Sequence, residues 1–168
     1  MKANEIIKLL DLKPHPGEGG YYRETYRSDE MIPASALPPR YKSGRQFSTA
    51  IYYLLTPNSF SALHRIPTDE IFHFYLGDPV AMFQIHPDSR GEEIILGNDL
   101  RAGQVPQSVV PRNVWQGSYL NEGGKFALLG TTVAPAFDFH DFEPGNRESL
   151  LKCYPQFEGI ITRLTRNI

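Results

Sequence analysis

The sequence predicts a mainly β protein, a sandwich or barrel of short strands with an N-terminal helix and short C-terminal helices. Three observations carry this. From residue 46 onward, short stretches rich in β-branched and aromatic residues follow one another at close intervals. Fourteen Gly and fourteen Pro, scattered through 168 residues, break the chain into many short segments. Strands do not alternate with helices, which argues against a parallel sheet of the dinucleotide-binding kind.

Taken in order, "ANEIIKLLDL" places Ile6, Ile7, Leu9 and Leu10 at helical spacing, with Asn4 as the expected cap. "KPHPGEGG" is a turn-rich break, in which His15 and Glu18 are expected to cap a turn. "YYRETYRS" alternates and is read as a strand. Residues 29–45, with Pro33, Pro38 and Pro39, form a loop that is long for a compact domain and is expected to be mobile or to cover something. The strands that follow are "QFSTAIYYLLT", "FSALHRI", "EIFHFYLGD", "VAMFQIH", "EEIILG", "SVVP", "VWQGSYL" and "GKFALLGTTVA". The end, "NRESLLKCYPQFEGIITRLT", reads as two short helices broken at Pro155 and packed on the outside of the barrel.

Composition bounds the function. A net charge of -2 with no large basic block gives nucleic acid nothing to bind. The single cysteine, Cys153, fits a reducing compartment and is expected to be buried. The first residues lack the features of a signal peptide, and no apolar run reaches membrane-spanning length. The expectation is one cytoplasmic domain spanning 1–168, bound to neither membrane nor nucleic acid.

"HRIPTDEIFHFYLGD" reads like half of a metal site. Residues 60–77 resemble the first motif of the cupins, small jelly-roll β-barrels in which paired histidines precede a glutamate and an aromatic strand ends at a glycine. Glu70 stands seven residues before Gly77, and His64 falls where the first histidine would, but Ile66 takes the place of the second. "PRNVWQ" stands where the second cupin motif would read Pro-x-Gly-x-x-His, with Asn113 for the glycine and Gln116 for the histidine. A closer resemblance, carried by four ordered blocks, is to the cupin subgroup called cupin_5 or DUF985. The blocks are "LKPHPGEGGYYRETYRS", "HRIPTDEIFHFYLGDP", "VVPRNVWQG" and "LLGTTVAPAFDFHDFE". That resemblance implies a jelly-roll subunit, a homodimer and a cavity for a small-molecule ligand, without a settled reaction. "GEGGYYRETYR" is also similar to the early strand of the dTDP-sugar 3,5-epimerases, which implies His64 as a general base.

Alternation puts Phe60, Ala62, His64 and Ile66 on one face of a strand, and Glu70, Phe72, Phe74 and Leu76 on one face of the next. The motif alignment adds Gln116, beside Val114 and Ser118. The expectation is a polar trio of His64, Glu70 and Gln116, with Phe72, Phe74 and Trp115 as walls and Arg23 able to grip an anion. Trp115 is read equally well as core, and Glu70 as a carboxylate paired with Arg65, Arg23 or Arg27. As a metal set, one imidazole, one carboxylate and one amide is weak. His73 should face away, and His140 could fold over the mouth. The leading expectation is a metal-independent epimerase-like or ligand-binding protein for a sugar or nucleotide-sugar-like compound. The alternatives are a divalent-metal-dependent oxygenase or isomerase, and a non-enzymatic binding protein.

Overall fold

Alternating burial along each strand requires two faces to cover one another, and the chain meets this with two antiparallel sheets. The structure is a computed structural model and describes residues 1–166. The six-stranded sheet runs β1 (Lys13–Pro14), β2 (Tyr21–Arg27), β5 (Thr49–Leu55), β12 (Ala127–Val133), β7 (Glu70–Gly77), β10 (Gln107–Val110). The five-stranded sheet runs β13 (Glu143–Pro144), β6 (Phe60–Arg65), β11 (Trp115–Leu120), β8 (Val80–Ile85), β9 (Gly91–Leu96). A separate ribbon pairs β3 (Met31–Ile32) with β4 (Arg45–Gln46). The mainly β jelly roll expected from the sequence is what forms. Asn167 and Ile168, part of the 1–168 domain expectation, lie outside the described residues.

Between the sheets lies an apolar core that includes Tyr53, Leu55, Phe72, Phe74, Met82, Val114 and Leu129. The outer face of the five-stranded sheet is covered by α2 (Arg147–Cys153) and α3 (Glu158–Leu164), through Leu63, Ile85, Trp115, Leu150, Ile161 and Leu164. Pro155 opens the 3-10 turn that separates these helices, as its missing N–H dictates. On the outside of the other sheet, α1 (Ala3–Leu9) packs Ile6 against Leu12, Leu54 and Leu128. Asn4 lies inside this helix rather than capping it. The first turn is instead held by Glu5, whose carboxylate accepts the backbone N–H of Lys2 at 2.6 Å. Leu9 is exposed, and so is Cys153, contrary to the burial expected of it.

Two glycine positions of the motifs have backbone reasons. Gly77 sits at φ +108, and a Cβ there would collide with the carbonyl oxygen of Phe126. Asn113, which replaces the motif glycine, sits at φ 63, a left-handed conformation that asparagine tolerates better than most side chains.

Strict alternation fails at three register shifts, one of them between Glu24 and Tyr26 where β2 meets β5. Gln116 pairs with His64, but Ser118 pairs with Ser61, so β6 carries one extra residue opposite β11. Ser61 and His64 therefore both point inward, while Phe60 packs outward against the helix side. The third shift, between Leu128 and Leu129 where β12 meets β7, leaves Leu76 exposed instead of on the inner face with Phe72 and Phe74.

The 29–45 segment is built rather than slack. Buried Tyr41 bonds Thr68 through its hydroxyl at 2.7 Å, and Arg40 donates to the Pro67 carbonyl. Arg45, with its side chain 3% exposed, makes a two-pronged ion pair with Asp141 at 2.8 Å and donates to Ser43. The long loop is thereby clamped to the 137–142 segment. Removing one partner of a buried pair strands the other charge, so Asp141→Ala should lower unfolding stability by about 3 kcal/mol. Urea denaturation checks this, and a variant within about 0.5 kcal/mol of the parent, the range of ordinary surface changes, would show that the clamp does not hold the loop.

Candidate functional site

Polar residues at one end of the barrel enclose a cavity of ≈ 250 Å³. The strands supply Tyr22 and Glu24 from β2, Thr49 and Ile51 from β5, His64 from β6, Glu70 from β7, and Thr131 and Val133 from β12. The turn before β2 adds His15 and Glu18, and the segment after β12 adds Phe137, Phe139 and Phe142. Inward parity places the strand residues here. The apolar core fills the rest of the interior.

His64, Glu70 and Gln116 do come together. Gln116 lies behind the cavity wall, 1% exposed, and its amide nitrogen is 2.7 Å from His64 Nε2 and 3.1 Å from Glu70 Oε2. His64 Nδ1 lies 2.7 Å from the Ala62 carbonyl, which can only accept. Nδ1 therefore carries the proton, and Nε2 accepts from Gln116. Phe142 stacks on the imidazole at 4.9 Å. Burial pushes the Glu70 carboxyl up to about 7; His64 opposes the shift, and nearby Glu18 adds to it. No arginine compensates Glu70: Arg65 pairs with Glu143, Arg27 with Glu24, and Arg23 lies over the Tyr52 ring on the outer face.

Glu18 and His15 were read in the sequence only as turn formers. They are that, since His15 Nδ1 accepts the Glu18 N–H at 2.9 Å, but both also line the cavity. Glu18 Oε1 accepts from Ser61 at 2.5 Å, and Oε2 approaches both imidazoles at 3.9 Å. The Glu18 loop is fixed by Tyr53, which donates to the Gly19 carbonyl, and by Arg166, which donates to the Gly17 and Glu18 carbonyls. Burial lowers the His15 pKa, with Glu18 working against that shift.

Several expected wall residues sit elsewhere. Phe72 and Phe74 belong to the apolar core, deeper along β7 than Glu70. At about 3.3 Å per residue, Phe74 is some 13 Å farther down the strand. Trp115 has odd parity to Gln116, faces the C-terminal helices and carries the Arg65 guanidinium on its ring. Arg23 is likewise on the wrong face of β2. His73 faces away, bonded to Thr132 and Gln107. His140 points to solvent with a 95% exposed side chain, so its segment covers the cavity with phenylalanines instead. The run "FDFHDF" held that signal: three phenylalanines in a non-strand segment need something to bury against.

The cupin resemblance raises the question of a metal at the motif positions. These residues do not fit one. Ile66 offers no donor, Gln116 presents an N–H rather than its oxygen to both neighbours, and no group of three or more His, Cys, Asp or Glu is arranged to hold a metal among the described residues.

Two antiparallel sheets closed into a jelly-roll barrel are the fold of the cupin class. Within it, the chain belongs to the Cupin_5 family, described as Cupin superfamily (DUF985), which it matches over residues 4–144. It is 34% identical over 133 residues to the uncharacterized protein YML079W of Saccharomyces cerevisiae, a match covering 74% of this chain and 66% of the yeast protein. Protein SO0799 of Shewanella oneidensis has a solved structure with 38% identity and a TM-score of 0.88, covering 100% of this chain and 99% of that one. A hypothetical protein from Leishmania major gives 31% identity and a TM-score of 0.89, covering 99% and 100%. Oxalate decarboxylase of Bacillus subtilis, at 13% identity and a TM-score of 0.54 over 92% of this chain and 38% of its own, shares the fold alone. No helix among the described residues is long and apolar enough to cross a membrane.

Glu70 predicts a pH signature. Its folded pKa of about 7 lies above the ordinary 4.5, so the native state holds more protons than the unfolded state between those values. The stability this group contributes is fully present below about 4.5 and is lost as pH rises through about 7. Glu70→Gln should therefore flatten the decline in unfolding free energy between these pH values, and equal pH slopes in the two proteins would refute the assignment.

Proposed function

We propose that this protein binds a ring-sized polar organic molecule in the barrel cavity and acts on it as a metal-independent isomerase. The single observation behind this reading is the Glu70 carboxyl, buried, held at about 7 and joined through Gln116 to His64. A group whose pKa lies near the working pH is suited to exchange protons in both directions. His64 Nε2 would take a proton from a carbon beside a carbonyl, leaving the electron pair on the carbonyl oxygen. Protonated Glu70 would return a proton to the substrate, and solvent would restore both groups. A sugar suits the cavity, which is smaller than the roughly 300–1,000 Å³ of drug-sized ligand sites. A nucleotide sugar is less well served, because none of the described lining residues is Lys or Arg to meet a diphosphate. The metal-dependent alternative is disfavoured by the donor set.

A non-enzymatic binding role is the second reading. It is favoured by one observation, that the Nε2 lone pair is already taken by Gln116. The family-implied homodimer also belongs to the proposal, in a cytoplasmic setting. It is supported by exposed Tyr75 and Val109 on the neighbouring strands β7 and β10.

Deuterium uptake beside the carbonyl of reducing sugars, followed by NMR in heavy water, separates the readings. The parent protein should catalyse it, and His64→Ala, with unchanged circular dichroism, should lose about 10²–10⁴ in rate. Equal rates would remove His64 from the mechanism, and tight ligand binding with no exchange would select the binding role. Native mass spectrometry of untagged protein should show a dimer; a monomer would argue against the proposed interface.

A further inference from the structure

The cavity has a charge imbalance that specifies its ligand more narrowly than its size does. Two carboxylates, Glu18 at 8% and Glu70 at 9% exposure, face a space lined by Tyr22, Phe137, Phe139 and Phe142. The third acid, Glu24, is already neutralised by Arg27 at 2.7 Å. The guanidiniums near this end are engaged elsewhere: Arg45 with Asp141, Arg65 with Glu143, and Arg166 on backbone carbonyls. The imidazoles are partly engaged in hydrogen bonds of their own. His64 uses its one proton on the Ala62 carbonyl, and His15 uses Nδ1 as an acceptor. Glu18 Oε2 stands 3.9 Å from each of the two imidazole Nε2 atoms, beyond hydrogen-bond distance.

We infer that the ligand is a ring-sized organic cation, its protonated amine lying between Glu18 and Glu70 and its ring walled by Tyr22, Phe137, Phe139 and Phe142. This rests on the reading of the cavity as a ligand site, and it narrows the proposed sugar to one that carries a protonated amine. Aromatic faces attract a cation through their quadrupoles, most strongly where water is excluded, and the same enclosure strengthens its attraction to the carboxylates. An anion would meet two acids and no Lys or Arg among the described lining residues. Burial raises the Glu70 pKa partly because no fixed cation stands beside it, and a bound amine would reverse that shift.

The test uses three matched probes, benzylamine, benzyl alcohol and benzoate, titrated calorimetrically into the full chain. Benzylamine should bind at least about tenfold more tightly than benzyl alcohol, and benzoate should not bind. Glu18→Gln and Glu70→Gln should each cost benzylamine about tenfold and leave benzyl alcohol unchanged. Phe139 is half-exposed, so Phe139→Ala keeps the fold and should also weaken benzylamine. If benzyl alcohol or benzoate binds as well as benzylamine, the charge inference falls and the ligand-site reading survives. Binding of none of the three overturns the charge inference, and the ligand-site reading falls only if the sugars also show neither binding nor exchange.

Discussion

One amide holds the polar end of this barrel together. Gln116 is on the five-stranded sheet, as is its neighbour His64, whereas Glu70 belongs to the six-stranded sheet. The N–H groups of a single side chain therefore tie two strands of one sheet to a strand of the other. Each partner depends on that tie. An ionisable group placed between two sheets is costly unless something nearby satisfies it, and an amide can donate to both an imidazole and a carboxylate without adding charge. A histidine at position 116 would have made a metal site easier to assemble; glutamine instead bridges the two groups through its amide nitrogen and leaves its buried oxygen without a partner. Burial raises the carboxyl's proton affinity, and the amide brings no charge to oppose that.

Around that tie, the interior divides by depth. Residues at the far end of the inward faces make an ordinary apolar core, and residues at the near end make the cavity. The division follows from the sequence of each strand: Glu70 precedes Phe72 and Phe74, and Thr131 and Val133 follow Leu129. The mouth is finished by segments outside the sheets. The turn carrying Glu18 is pinned from below by Tyr53 and from the side by Arg166, and the phenylalanine segment is clamped through Asp141 to Arg45. The irregular parts of the chain thus carry about half of the cavity wall, and the regular parts fix where that wall stands.

That division also explains what could be read in advance. The strands were legible because alternation and turn residues are local, and the family resemblance located His64, Glu70 and Gln116 by ordered motifs. Walls were misjudged for two reasons. Parity tells which face a residue occupies but not how deep it lies, so it cannot separate Phe72 and Phe74 from the lining. Trp115 was assigned by proximity in sequence to Gln116, although adjacent strand residues face opposite ways. Glu18 was visible as a turn former, but its contact with Ser61 spans 43 positions and has no local signature. Arg45 and Asp141, 96 positions apart, were equally hidden.

The bulge in β6 has a consequence for how this strand can change in length. An unbroken strand would send Ser61 and His64 to opposite sides, and the contact to Glu18 could not coexist with the contact to Gln116. The extra residue near Ala62 resets the count, so both side chains point inward. Shortening the strand by one at that point would leave both side chains on the same side, whereas the same deletion between His64 and the end of the strand would shift the residues beyond it. The extra residue also carries contacts of its own: the Ala62 N–H donates to the Glu18 carbonyl and the Ala62 carbonyl faces His64 Nδ1, so one irregularity sets both the turn and the imidazole.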